Sequence, residues 1–155
     1  MLSLQLNKAT PPVSSYAHVG ETDLNEVPID PSWILEGEPV SRVKRLHVAP
    51  DSLYEVALWE CNAGRFRWHF GCDEVVHILD GEVVVQEDDG SARTLRVGDV
   101  ALFPKGSTNI WSVSSHVRKI AVNRWHKPTP RERIRDVVRT ARAELKKLYS
   151  HVRAA

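Results

Sequence analysis

The sequence has few cysteines and no long apolar run. Its two cysteines, Cys61 and Cys72, accompany no CxxC or HxxxH pair, which excludes a disulfide framework and a structural zinc site. Its apolar runs fall far short of the roughly 20 residues that a membrane-spanning helix needs. No basic stretch followed by an apolar core marks a signal peptide at the N-terminus. We therefore expect a cytoplasmic protein with two reduced thiols and no membrane partner.

The sequence also lacks an excess of charge of one sign. Its 155 residues carry a net charge of +1, with 26% charged and 42% hydrophobic residues, as in ordinary globular domains. This balance disfavours a nucleic-acid partner. The length favours one domain whose core needs no covalent support. Positive charge is concentrated in residues 131–153, which hold eight arginines and lysines against three acidic residues.

The pattern along the chain predicts an N-terminal arm followed by a β-rich domain. Residues 1–32 are rich in turn-forming residues and have little periodicity, which predicts an extended arm. Residues 33–126 alternate short β-rich runs with turn signals, which predicts an all-β sandwich or barrel. Asp89-Gly90, between two such runs, predicts a hairpin. The predicted strands are 42–48, 53–61, 74–79, 82–86, 92–97, 100–103, 109–113 and 117–123.

The last part of the chain, residues 127–155, has the pattern of a long amphipathic helix. Thr129-Pro130-Arg131-Glu132 combines a capping box with proline at the first helical position. Apolar residues then recur at helical spacing, and we expect this stripe to pack on the barrel or on a partner chain rather than on a membrane or nucleic acid. The stripe consists of Ile134, Val137, Val138, Ala141, Leu145, Leu148, Tyr149 and Val152.

Four segments of the central region share the residues of a known superfamily. They are Trp33–Pro39, Trp59–Trp68, Asp73–Gly81 and Gly98–Gly106, the last with a glycine followed by Pro-x-Gly. Together they resemble the cupins, and in particular the subfamily named after ureidoglycine aminohydrolase. The resemblance implies a jelly-roll β-barrel and an activity at a nitrogen-bearing centre, in which a metal would activate water. We expect a single cupin barrel with the arm before it and the helix after it.

The resemblance also implies where a metal would bind. Cupins that hold a metal use two histidines and a glutamate from the first motif and a histidine from the second. In this sequence Arg67 and His69 stand at the two histidine positions, Glu74 at the glutamate and Asn109 at the last histidine. His77 is excluded, because a residue three positions from Glu74 on a strand faces the other side.

Two interpretations of these four positions remain open. In the first, His69, Glu74 and Asn109 hold a divalent transition metal, with Mn, Fe, Zn and Ni as candidates. In the second, Arg67 forms an ion pair with Glu74 in the barrel and replaces the metal, because a guanidinium keeps its proton and cannot be a ligand.

The sequence is rich in tryptophan, with five residues. Trp68 and Trp111 either fill the barrel or line a ligand pocket beside Arg67 and Glu74, where a guanidinium would favour an anionic group. We therefore expect a cupin-domain protein that acts on or binds a small polar, anionic metabolite, with catalytic residues undetermined. The alternative is a non-catalytic binding or accessory protein with a degenerate metal site. In either case we expect a homodimer.

Overall fold

The computed structural model describes residues 13–20, residues 23–127 and seven isolated positions of the C-terminal segment. The chain divides into two compact units, Met1–Arg124 and Trp125–Ala155. The first unit contains eight strands and one short 3-10 helix among its described residues, and every strand pairing is antiparallel. The elements are β1 Asn25–Glu26, the 3-10 helix Pro31–Trp33, β2 Ile34–Glu36, β3 Ser41–Val48, β4 Tyr54–His69, β5 Asp73–Gln86, β6 Ala92–Arg96, β7 Val100–Phe103 and β8 Thr108–Arg124.

Strands β4, β8 and β5 form the centre of one sheet in the order β1-β3-β4-β8-β5-β6. The first half of β4 pairs with β3 and its second half with β2. Likewise, the first half of β5 pairs with β7 and its second half with β6. Each long strand therefore runs through two halves of the sheet, and the inner faces of both halves contribute to one buried cluster.

The all-β expectation is confirmed, but the long strands differ from the predicted ones. Predicted strands 74–79 and 82–86 are one strand, as are 109–113 and 117–123. Gly81 lies inside β5 with φ of +70°, where the register against β8 shifts. A glycine in this conformation absorbs an irregularity without ending the strand, because it has no Cβ to clash. The predicted hairpin at Asp89-Gly90 is confirmed by the pairing of β5 with β6.

Inner and outer faces alternate along the long strands, as the period of two requires. On β8 the buried side chains are Asn109, Trp111 and Val113 in the first half and Val117, Lys119 and Ala121 in the second. The core cluster consists of Ile29, Trp59, Cys61, Phe66, Phe70, Val76, Ile78, Val83, Val85, Leu95, Phe103, Trp111, Val113 and Val117.

Aromatic rings from both halves of the sheet fill this interior. Trp59 of the first half and Trp111 of the second meet edge to face, with ring centroids 6.1 Å apart. Phe103 stacks on Phe70 at 4.6 Å and tilts against Trp111 at 5.5 Å. Such contacts add to the apolar area that the rings bury.

Most of the C-terminal segment, and residues 1–12, 21 and 22 of the N-terminal arm, lie outside the described residues. Helical backbone is described at Pro130, Ile134, Arg135, Val138, Ala141 and Arg142, but no continuous helix is among the described elements. The predicted long helix over residues 127–155 therefore stays a prediction. Across the described part of the chain, no helix has the length and apolar character to span a membrane.

Candidate functional site

The second half of β4 shows which of the predicted site residues face the interior. Phe66 and Phe70 are buried and Trp68 is half-buried, whereas Arg67 and His69 between them are exposed. Trp68 pairs directly with Asn109, which is buried, and paired residues share a face. The expectation that residues 67, 69, 74 and 109 converge is therefore wrong for Arg67 and His69.

His69 is held at the surface of the protein. Its Nδ1 lies 2.9 Å from the hydroxyl oxygen of Thr108, and its ring packs against Trp33 with centroids 4.8 Å apart. His77 is also exposed, as its spacing from Glu74 predicts. Neither imidazole shares the inner face with Glu74.

Glu74 forms a buried ion pair with Lys119 and not with Arg67. Its Oε1 lies 2.5 Å from the Lys119 Nζ, and the two side chains are 10% and 3% exposed. Glu74 pairs in register with Asn123, and Val76 pairs with Ala121. The side chains of Glu74 and Lys119 must therefore extend along the sheet to meet. The small Ala121 lies between Asn123 and Lys119 on that face and leaves room for them.

The Lys119 ammonium also contacts two indole rings. Its Nζ lies 4.8 Å from the ring centroid of Trp59 and 4.5 Å from that of Trp111. A cation over an aromatic face is attracted by the ring quadrupole, and more strongly when water is excluded. The centre of the barrel therefore holds a cation that belongs to the chain itself.

The residues at the barrel centre do not fit a divalent metal. His69 faces outward, Glu74 binds Lys119, and the Asn109 Nδ2 donates a hydrogen bond to Glu87. Among the residues that the structure describes, no three His, Cys, Asp or Glu side chains cluster as metal ligands would. A tight transition-metal site needs about three good donors, so we assign no chemistry here to a metal.

A cleft opens between the edge strands β6 and β7 and is referred to below as the β6–β7 cleft. Its volume is about 330 Å³, within the usual size range of small-molecule sites. Its lining combines three core side chains with an acid, a hydroxyl and a guanidinium. These residues are Val85, Leu95, Phe103, Glu87, Ser91 and Arg93, with Ala92, Ala101 and Leu102 completing the wall.

Arg93 reaches this cleft because of the hairpin register. It pairs directly with Val85, whose side chain is on the inner face, so Arg93 shares that face at the open end of the sheet. Within the described residues, its side chain has no ion pair or hydrogen bond. Sequence reasoning missed Arg93, although Asp89-Gly90 gives the hairpin register and a buried Val85 then gives the face.

Polar atoms without partners lie next to the β6–β7 cleft. The Oδ1 of Asn109, whose amide nitrogen binds Glu87, is buried and accepts no hydrogen bond among the described residues. The Nε1 of Trp111, two positions along β8, is likewise buried without an acceptor. Buried polar groups are normally satisfied, so such atoms need an explanation, and a bound ligand is one.

Two other clefts have charged linings that are already neutralised. In a cleft of about 500 Å³ the charged lining residues are Glu36 and Arg65, which form an ion pair at 3.3 Å. In a cleft of about 240 Å³ the charged residue is Glu26, which pairs with Arg42 at 3.2 Å. Of these three clefts, the β6–β7 cleft is the one whose guanidinium has no ion-pair partner in the part of the chain that the structure describes.

The two cysteines are free and buried. Burial raises the pKa of the Cys61 thiol to about 12, against smaller opposing effects of Lys119 and Arg42. Burial, reinforced by the carboxylates of Glu74 and Asp73, raises the pKa of the Cys72 thiol to about 11. Because the thiolate is the reactive form, these raised pKa values predict low reactivity of both residues in the folded protein.

We expect neither cysteine to react with Ellman's reagent in the native protein at pH 8. A raised pKa leaves the thiol protonated at this pH, and thiolate forms only as the pH approaches about 11 for Cys72 and about 12 for Cys61. In urea both thiols should react at the rate of exposed cysteine. Rapid reaction of either residue in the folded protein would contradict the described burial.

The sequence and the fold are similar to those of known cupins. Residues 48–121 match the family described as the EutQ-like cupin domain. The Clostridium difficile EutQ protein is 25% identical, with a TM-score of 0.51 over 63% of this chain and 80% of that one. No curated protein sequence matches the chain significantly.

Two further solved structures support the fold alone. A protein of unknown function from Pseudomonas syringae pv. tomato is 22% identical, with a TM-score of 0.63 over 68% of this chain and 45% of that one. The polyketide cyclase RemF from Streptomyces resistomycificus is 18% identical, with a TM-score of 0.55 over 76% of this chain and 83% of that one. These likenesses support the expected cupin fold, and the family match extends over residues 48–121, whereas the ureidoglycine aminohydrolase subfamily is not shown.

Proposed function

We propose, on the premise that this chain carries a cupin domain of the EutQ-like type, that the domain binds a small carboxylate-bearing metabolite in the β6–β7 cleft. The observation that carries the proposal is Arg93, an exposed guanidinium at a cleft whose floor is formed by Phe103 and Leu95. An apolar wall with a few convergent polar groups is the usual form of a small-molecule site.

The chemistry of the lining defines the ligand class. A guanidinium binds a carboxylate through two parallel hydrogen bonds, which favours anions over neutral amides. The Glu87 carboxylate accepts one hydrogen bond from Asn109 and has capacity for another from a ligand hydroxyl or ammonium. The short carbon skeleton between the two groups would contact Phe103 and Leu95. The lining therefore favours a small hydroxy- or amino-carboxylate.

This proposal moves the ligand from the barrel centre to its edge. Arg93 takes the role that the sequence suggested for Arg67, which lies on the outer face. The predicted ligand-binding residues Trp68, Glu74 and Trp111 do not line the cleft, although the Trp111 ring lies 5.5 Å, centroid to centroid, from that of the lining residue Phe103. No catalytic role is assigned. The hydrolysis implied by the aminohydrolase resemblance needs a metal-activated water, and the residues present do not fit a metal.

The proposal is tested by binding of matched acids and amides. We expect lactate, serine and similar short carboxylates to raise the melting temperature or give heat in calorimetry, and the corresponding amides to have no effect. Arg93→Met should weaken carboxylate binding by about 10-fold or more, because a charge-assisted hydrogen bond contributes about 1.5–3 kcal/mol.

Arg96→Met is the matched control for Arg93→Met. Arg96 lies on the same strand, but it pairs with Glu82 at 3.0 Å and does not line the β6–β7 cleft. This variant should bind carboxylates as the unaltered protein does. Equal affinity of Arg93→Met and the unaltered protein, or equal binding of acids and amides, would reject the proposal.

Three further expectations from the sequence stay predictions. They are the division into an arm, a barrel and a C-terminal helix, the homodimer, and the cytoplasmic location. An amphipathic helix over residues 127–155 would need its apolar stripe covered, and we retain the homodimer as one means of covering it.

A further inference from the structure

The position of Lys119 at the barrel centre is independent of the β6–β7 cleft. Lysine is almost never fully buried unless it is paired, yet the Lys119 side chain is 3% exposed. Desolvating an ammonium costs several kcal/mol, so the surroundings must compensate for lost water. The compensation comes from the carboxylate of Glu74 and the faces of Trp59 and Trp111.

These three side chains have the composition of a receptor for a cation. Aromatic faces and a carboxylate around a desolvated ammonium are the features by which proteins recognise ammonium ligands. Trp59 pairs directly with Lys119 across β4 and β8, whereas Trp111 comes from the other half of the sheet. The site therefore forms only where the two halves of the sheet pack together. Lys119, which fills the site, is itself part of a strand that lines it.

We propose that Trp59, Trp111 and Glu74 form a primary-alkylammonium site that the chain fills with its own Lys119. The internal ammonium occupies the barrel centre, where the cupin resemblance implied a metal ion. The site selects an ammonium group over a divalent metal ion, because indole rings are not ligands of divalent metals. A guanidinium would also be a poor substitute, since its planar fork is wider than the compact ammonium group.

The ring spacing supports a single ammonium as the occupant. The two centroids are 6.1 Å apart and Nζ lies 4.8 and 4.5 Å from them, so the cation contacts both rings at once. Ala57 and Ala121 pair with each other beside the row of Trp59 and Lys119. Their methyl groups leave space on the inner face, which the lysine stem and the Glu74 side chain use.

Chemical rescue of Lys119→Ala tests the proposal. The removed atoms correspond to n-propylammonium, which should enter the cage and raise the melting temperature of the variant saturably, by at least about 2 °C. n-Propanol and sodium chloride at equal ionic strength should not reproduce the rise. A folded variant that shows no rise, or the same rise with n-propanol, would overturn the proposal.

Lys44→Ala is the matched control for the rescue. Lys44 also forms a short ion pair, 2.6 Å from Asp23, but its side chain is 27% exposed and that of Asp23 is 75% exposed. Because the site is open to water, n-propylammonium should leave the melting temperature of this variant unchanged beyond the salt effect. An equal rise in both variants would show that the amine acts non-specifically and would reject the cage.

A measurement on the unaltered protein decides the question if Lys119→Ala does not fold. The Lys119 Hε protons are bonded to the carbon next to Nζ, which lies over two indole rings. Ring currents should shift their NMR signals upfield of the Lys44 Hε signals, and Trp59→Leu should reduce that shift. Coincident Lys119 and Lys44 signals would overturn the proposal.

Discussion

Lys119→Met is expected to lower the free energy of unfolding by about 3–5 kcal/mol, the usual cost of removing one partner of a buried ion pair. Methionine keeps much of the apolar stem of lysine, so the loss reports the Glu74 carboxylate left buried without its counter-ion. Urea unfolding measures the effect as a lower midpoint at an unchanged m-value.

The double variant Lys119→Met/Glu74→Leu separates charge from packing. Replacing both partners of a buried pair with apolar groups is often neutral or stabilising, so most of the lost stability should return. Lys44→Met removes the exposed ion pair with Asp23 and should cost about 1 kcal/mol or less. A double variant as unstable as Lys119→Met would show that packing, and not the unpaired carboxylate, causes the loss.

Gly81→Ala is expected to destabilise the protein by about 2–5 kcal/mol, the sum of two separate costs. Gly81 has φ of +70°, a conformation in which a side chain costs about 1–2 kcal/mol. A Cβ at this position would also lie 2.1 Å from the carbonyl oxygen of His116, so the backbone of β5 or β8 must shift. Urea unfolding and the melting temperature measure this loss.

Gly90→Ala isolates the conformational part of that effect. Gly90 has φ of +85°, and no atom lies within 4 Å of the Cβ that alanine would add. It should therefore show only the conformational cost of about 1–2 kcal/mol. Equal losses in the two variants would contradict the described approach of the β8 backbone to Gly81.

Local features of the sequence were sufficient to predict the class of fold. Strand β7 has the predicted bounds, 100–103, and the Asp89-Gly90 hairpin joins the strands expected to pair. Alternation with a period of two and turn chemistry involve only neighbouring residues, so both can be counted along the chain. In the sequence, Gly81 cannot be distinguished from a glycine that ends a strand at a turn. In the structure, pairing with β8 on both sides of Gly81 keeps β5 continuous.

The candidate site could be predicted only in part, because a motif position does not specify the face of the strand on which a side chain lies. Glu74 and Asn109 are on the inner face as expected, whereas Arg67 and His69 are outside. Burial alternates with a period of two from Phe66 to Ile78, so the odd spacing of five residues places His69 on the face opposite Glu74. A motif position alone therefore did not locate the ligand.

From its order of residues alone, this chain is specified as an all-β domain that is rich in tryptophan and has two reduced thiols. The tertiary structure decided which charges meet. Lys119 is 45 residues from Glu74 in the chain, and the pair forms because β8 lies beside β5 and the closing sheet brings two indole rings around the ammonium. Arg93 faces a cleft for the same kind of reason, since cross-strand register and the separation of two edge strands are set by hydrogen bonds between distant segments.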